Sequence, residues 1–281
     1  MKKFIIPIAV ILLTINNYSQ PSDWDEYINW AWGGNYSPFI KADVGYGFPG
    51  QEEFTGNFSS IGNATLEIGY TELKKYKDFV QRLDERFIFG SYFASDMNVI
   101  GNPEPGDVDT KGWQVGIGQN IGYGYEIGPF SLIPYNKNQF TLTNLEFTGR
   151  DSLSQNDIDI LTRLEGDQRF GISTEGGVKL YVAKSVSITS SIEGAVVFPR
   201  FVVIHWVGSF ALQAISVNLV SLFSESIIKS SPIFGPIMYM ILQNAVTFAW
   251  YYAIKSEQYW PLSSETPFTM ETFKIGASIT F

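Results

Sequence analysis

Residues 272–281, which read TFKIGASITF, decide the fold. Phe273, Ile275, Ala277, Ile279 and Phe281 recur at every second position, and Thr272, Lys274, Gly276, Ser278 and Thr280 fill the places between them. Successive side chains of an extended strand point to opposite faces, so this segment is greasy on one side and wet on the other. A soluble sandwich strand alternates in the same way, but it seldom finishes on an aromatic residue.

Four of these residues carry a resemblance. Lys274, Gly276, Ile279 and Phe281 give a polar residue, a glycine two on, and hydrophobic residues three and five after that glycine. This pattern resembles the C-terminal assembly signal of outer-membrane β-barrels, and it covers the last ten residues. The resemblance implies an all-β transmembrane fold, an antiparallel up-and-down barrel in the outer membrane of a Gram-negative cell. It also implies the barrel-assembly machinery as a partner during insertion, and lipids and lipopolysaccharide as surroundings.

The same period-two pattern recurs upstream. Val186, Ile188, Ile192 and Val196 alternate with Ser187, Thr189, Ser191 and Glu193, and Phe170, Ile172, Val178, Leu180 and Val182 alternate with Ser173, Glu175 and Lys179. Trp113, Val115, Ile117, Ile121, Tyr123 and Tyr125 alternate with Gln114, Asn120, Glu126 and glycines at 116, 118, 122 and 124, which suggests a curved strand with room inside for bulky neighbours. Residues 130–147 form a further segment whose register Pro134 and the polar run 136–139 leave open. Nearer the start, Ile40, Ala42, Val44, Tyr46 and Phe48 form one face, as do Leu66, Ile68 and Tyr70, and then Phe87, Phe89 and Phe93. About eight strands result, a common size for a small transmembrane barrel. Links near 49–63, 96–111 and 148–168 are long and read as extracellular loops; those at Gly128 and Lys184 are short and read as periplasmic turns. Residues 74–86 are the exception, a charged stretch longer than a typical periplasmic turn, expected to hold a helical turn or extended strand ends.

At the other end, Met1, Lys2 and Lys3 precede an apolar run to Ile15 and a polar stretch ending Tyr18, Ser19, Gln20. This is the pattern of a cleavable secretory signal over residues 1–20. Residues 21–37 are expected to be a periplasmic segment, with Trp24, Tyr27, Ile28, Trp30 and Trp32 in a short interfacial helix. The barrel itself is expected over residues 38–281. The formal charge of −9 includes Lys2 and Lys3, so without the signal the chain carries −11, and a surface this acidic argues against nucleic acid. No cysteine is present, which excludes a disulfide scaffold, a thiol nucleophile and an acylated lipoprotein cysteine. Mean hydropathy is +0.02, as expected where apolar and polar positions take turns.

Residues 201–268 do not fit a plain barrel. Two uncharged runs, 201–224 and 230–254, are separated by Glu225 and Lys229 and read as a helical hairpin inserted before the last strand, with Pro232, Gly235 and Pro236 at the break. Strand parity puts this insertion at the extracellular mouth. It can fold against its own barrel, dock onto another membrane protein or a lipid, or form two inner-membrane spans; the alternating segments speak against the last. Trp206, Phe210, Phe223, Phe234, Tyr239, Phe248 and Trp250 are its candidate docking residues.

The registers direct Lys41, Asp43, Glu67, Glu126, Glu175, Lys179, Glu193 and Lys274 into the lumen, where charges must be paired or hydrated. A barrel of eight strands has an interior just wide enough to be filled by side chains, so a salt-bridged core is expected rather than a pore. His205 is the sole histidine, a weak candidate for a lipid- or lipopolysaccharide-modifying site, with no nucleophile motif near it in sequence. The acidic loops, with Asp107, Asp109, Asp151, Asp157, Asp159, Glu165 and Asp167, lack the spacing of a calcium-binding loop and read as solvated charge. No metal or cofactor is expected. The leading expectation is a non-enzymatic accessory subunit that docks on another outer-membrane protein through the hairpin; the alternatives are an outer-leaflet enzyme and a small pore or transporter.

Overall fold

The computed structural model describes residues 36–97, 107–151 and 153–281. The expected signal peptide and nearly all of the expected periplasmic segment lie outside the described residues. Eight strands form one closed antiparallel ring: β1 Ser37–Gly50, β2 Ile61–Lys77, β3 Val80–Ala94, β4 Asp109–Ile127, β5 Phe130–Thr148, β6 Arg169–Ala183, β7 Val186–Val197 and β8 Phe268–Thr280. A helix, α1 Gln155–Leu164, sits in the β5–β6 loop, and α2 Val203–Ser230 and α3 Gly235–Ser256 lie between β7 and β8. Hydrogen-bonded partners traced round the ring from Ser37 pass through Thr71, Glu85, Asn120, Lys137, Glu175, Glu193 and Thr272 and return to β1 at Gly47. That offset of ten residues, from 37 to 47, means that the strands tilt as they close.

The wall is inside-out relative to a soluble protein. Val44 is 67% exposed and Ile88 62%, whereas Lys41 is 2% exposed and Lys179 fully buried. A closed sheet has no edge, so each strand of the wall pairs with a neighbour on both sides, which is the condition for crossing hydrocarbon. Apolar-out, polar-in closure with short turns at one end and long loops at the other is the architecture of an outer-membrane barrel. The 74–86 stretch holds no helix: β2 runs to Lys77, Asp78 turns with φ +50°, and β3 starts at Val80.

One register is corrected. Phe87, Phe89 and Phe93 point into the lumen, buried, while Ile88 and Tyr92 face outward. The reason lies across the ladder, where Phe87, Phe89 and Phe93 stand opposite Gly118, Gly116 and Gly112. A Cβ at Gly116 or Gly112 would come within 2.8 Å of its phenylalanine ring. The glycine ladder thus admits a phenylalanine ladder, and an apolar face in sequence became an inner face.

The lumen is sealed in layers. At the extracellular end α1 lays Ile160, Leu161 and Leu164 over Phe54, Phe93, Phe147 and Phe268. Asp157 fixes this cap by accepting hydrogen bonds from the Thr55 amide (2.9 Å) and hydroxyl (2.7 Å). Leu83, Ile133 and Tyr181 close the periplasmic end.

Candidate functional site

Two features of the molecule are built from polar groups where apolar ones would suffice: the middle of the lumen and the outer wall beneath the hairpin. In the lumen Lys137 reaches Glu67 (2.6 Å) and Glu175 (3.0 Å), and Lys41 reaches Asp43 (3.0 Å) and Glu67 (3.5 Å). Lys274 joins Glu193 and Glu175, and Lys179 joins Glu85 across the lumen from β6 to β3. Tyr135 donates to Glu175 (2.8 Å), and Gln139 and Ser173 to Glu193 (2.8 Å each). Seven of the eight expected lumen charges are brought together here; Glu126 instead lies exposed at the periplasmic end of β4. Lys137 and Glu85 belong to the network and were missed, Lys137 because the polar run 136–139 hid its register. Paired charges fill the middle of this lumen, and apolar side chains pack at both of its ends.

The assembly-signal residues take two faces of β8. Lys274 and Gly276 point inward, the glycine because a Cβ there would strike the Asp43 carboxylate. Ile279 and Phe281 are exposed, and the Phe281 amide donates to the Pro38 carbonyl at 2.9 Å.

The hairpin begins and ends at the extracellular rim, as parity requires, but its body is not at the mouth. α3 lies across the outside of β4, β5, β6 and β7, α2 packs beside it, and the end of α2 reaches the β2–β3 turn. At the low end Lys77 donates to the Lys229 carbonyl, Tyr125 donates to the Ile233 carbonyl (2.5 Å), and Tyr76, Val80, Tyr123, Ile228 and Tyr239 pack together. At the high end Trp206, Trp250, Tyr251 and Ile254 pack on Val196 and Phe198. At 1.5 Å per residue, helices of 28 and 22 residues are about 42 and 33 Å long, enough to cross a hydrocarbon core of about 30 Å. Gly176 and Gly194 face outward beneath α3, and a Cβ at either would meet Asn244 (2.5 Å) or Tyr251 (2.9 Å); they let the helix touch the wall. Asn136 donates to Asn244 and Thr247, both at 2.9 Å.

Under this hairpin the lipid-facing register of β3, β4 and β5 carries Arg82, Asp84, Arg86, Gln119, Asn136 and Asn138. Ionisable groups at such positions are costly in a bilayer and mark function when they occur. A cavity of about 450 Å³ separates them from the helices, lined on the hairpin side by Gln213, Asn218, Glu225 and Gln243 among others. The Asp84 carboxylate lies 3.6 Å from Arg82 and 3.4 Å from Arg86, and Gln119 donates to it at 3.3 Å. Tyr123 donates to Glu225 at 3.1 Å.

Of the seven aromatic docking candidates, Trp206, Tyr239 and Trp250 are buried within the chain, and Phe210 and Phe248 pack against the wall cluster. Phe223 and Phe234 are exposed, at 62% and 64%. His205 is exposed at the rim with its ring 5.9 Å from that of Tyr259, and among the described residues no hydroxyl or carboxylate is hydrogen-bonded to it. Among the described residues no group of three histidine, aspartate or glutamate side chains is placed to hold a metal ion.

No family model matches the sequence, and no curated protein matches it. Solved structures that it resembles include neisserial surface protein A (10% identity, 88% of this chain and 100% of that one, TM-score 0.40). They also include the N-terminal β-barrel domain of Pseudomonas aeruginosa OprF (9%, 87% and 100%, 0.33) and Ail, the attachment invasion locus protein of Yersinia pestis (9%, 87% and 99%, 0.28).

Proposed function

We propose that the protein is a non-enzymatic accessory subunit of an outer-membrane assembly, and that another integral outer-membrane protein docks on the outward face of α2. One observation carries this reading. The ring of eight strands closes without residues 201–267, yet the hairpin adds a bilayer-length helix whose far side holds Ile204, Leu212, Ile215, Leu219 and Leu222, all exposed, with Gly208 and Ala211 among them. Small residues in such a row let a neighbouring backbone approach closely, which is how helices associate in lipid. Nothing lies within 4 Å of a Cβ placed at Gly208, so that position is open to a partner.

Extraction of native membranes in mild detergent should therefore bring down a stoichiometric membrane partner. Gly208→Phe should abolish the association while the barrel keeps its folded gel mobility. A wild-type protein that is monomeric after native extraction, or a Gly208→Phe variant that still co-purifies with the partner, would overturn the proposal.

A further inference from the structure

A polar row crosses the outer wall at one level beneath the hairpin. Arg86, Gln119, Asn138 and Thr174 are successive ladder partners on β3, β4, β5 and β6. The next outward row toward the extracellular end is apolar, Ile117, Phe140 and Ile172, and Phe210 of α2 lies over it, its ring centre 5.7 Å from that of Phe140. The charges of the cleft are already matched. Arg82 and Arg86 flank Asp84, Glu225 takes the Tyr123 hydroxyl, and Arg86 and Gln119 hold further partners, so two guanidiniums face two carboxylates. What is unmet is neutral: Thr174 Oγ1 on the wall and Gln243 Oε1 on α3 have no hydrogen-bond partner among the described residues. These residues are 5% and 4% exposed, and both line the cavity of about 450 Å³. Polar groups left unmet at membrane depth are expensive, and a ligand that meets them removes the penalty. A hydroxyl both donates and accepts, so it suits the threonine and either orientation of the glutamine amide. A charged head would instead bring an unbalanced ion into a low-dielectric site.

We propose that this cleft binds an uncharged amphiphile with a hydroxyl-bearing head and one short chain, of the monoacylglycerol class. Its hydroxyls sit at Thr174 and Gln243, and its chain lies among Phe140, Ile172 and Phe210. The volume is in the usual range of small-molecule sites, roughly 300–1,000 Å³, and near the lower end of it, which suits a small head with a single chain. Selectivity against ions of either sign comes from the matched charges: an anion meets Asp84 and Glu225, and a cation meets Arg82 and Arg86. This inference is independent of the docking partner, because it uses the inner side of the hairpin and not its outer face.

The full-length protein, reconstituted in phosphatidylcholine nanodiscs, is titrated with four medium-chain probes carrying bromine at the chain end: a monoacylglycerol, an alkyl sulfate, an alkyltrimethylammonium and a plain alkane. Trp206 packs on Phe210 and Phe140, with ring centroids 5.0 and 6.3 Å away, so its fluorescence reports arrival of the chain end. Subtracting the signal of Trp206→Phe isolates that report. Saturable quenching by the monoacylglycerol is expected, at least tenfold tighter than by the other three. Gln243→Leu with Thr174→Val removes both unmet atoms; it should weaken monoacylglycerol binding at least tenfold and leave the barrel at least as resistant to denaturant as wild type. Ala214→Phe, which fills the cleft from α2 and leaves the polar row in place, should abolish binding. Heat-modifiable gel mobility verifies the barrel in every variant, so loss of fold is distinguished from loss of binding. Alkane binding as tight as the monoacylglycerol marks a merely greasy cleft, tighter binding of either ion marks a charge site, and no saturable quenching marks a cleft held by water alone; each overturns the proposal. So does wild-type affinity in a folded Ala214→Phe barrel, and that variant decides the matter should the double variant fail to fold.

Discussion

The claim that the lumen is a dry, paired core is tested most directly at Lys179 and Glu85, which meet across it from β6 and β3. Lys179 is fully buried, its ammonium 5.5 Å from the Phe39 ring centre and 5.3 Å from that of Tyr181; Glu85 is 1% exposed and takes one further hydrogen bond, from Asn120 at 2.7 Å. Lys179→Met keeps most of the stem and removes the charge, leaving a buried carboxylate with one neutral donor, which costs about 3–5 kcal/mol. Adding Glu85→Leu removes the stranded charge as well. Apolar replacement of a whole buried pair is neutral or stabilising by about 1–4 kcal/mol, against about 1–3 kcal/mol for the partner Asn120 loses, so the double variant should lie close to wild type. Denaturant unfolding of the barrel in lipid vesicles, followed by tryptophan fluorescence and gel mobility, measures all corners of the cycle. A water-filled lumen predicts something different: a hydrated pair is worth about 0–1 kcal/mol, and the single variant would be nearly silent. A silent Lys179→Met, or a double variant as unstable as the single, would refute the reasoning and reopen conduction.

Two further outcomes follow from the packing. Gly118→Ala places a methyl against the Phe87 ring, with no wall backbone among its nearest contacts; overpacking should cost about 1–3 kcal/mol, and Phe87→Leu in the same chain should recover part of it in the same unfolding assay. The Asp157 carboxyl is held below its ordinary value of 3.8 by hydrogen bonds from the Thr55 amide and hydroxyl and from Ser154; because the folded value is the lower one, its contribution is complete above about pH 4 and is lost as pH falls below that. Pepsin should therefore cut α1 increasingly as pH drops through this window, and Asp157→Asn should remove the dependence.

Most of the wall was legible because its two sides face different solvents. Alternation marks a strand wherever hydrocarbon lies on one side and paired ions on the other, and Lys41, Glu67, Glu175 and Lys274 declared their side by charge alone. Phe87, Phe89 and Phe93 misled because a sealed barrel also has apolar layers inside, and only the opposing glycines of β4 reveal which side a phenylalanine takes. α2 and α3 gave no such signal: one face meets a barrel wall and the other meets lipid, both largely apolar, so no strong periodicity survives in the sequence.

Two polar stretches whose reading the strand pattern left open lie where the hairpin covers the wall. Residues 74–86 looked too charged for a periplasmic turn, and residues 136–139 too polar for a wall. Apart from the turn at Asp78 and Phe79 both are strand, with Arg82, Asp84 and Arg86 in one and Asn136 and Asn138 in the other turned to the lipid side. A barrel exposing those groups to hydrocarbon would pay for each of them, and a barrel that merely needed a wall would carry isoleucine there, as it does at Ile88 and Ile117. Polar wall positions and an apolar hairpin long enough to cover them are thus two halves of one feature. It follows that replacing the outward polar residues by apolar ones should leave the hairpin seated by its aromatic ends yet empty the cleft of its chemistry, whereas deleting the hairpin and keeping those residues should destabilise the barrel itself.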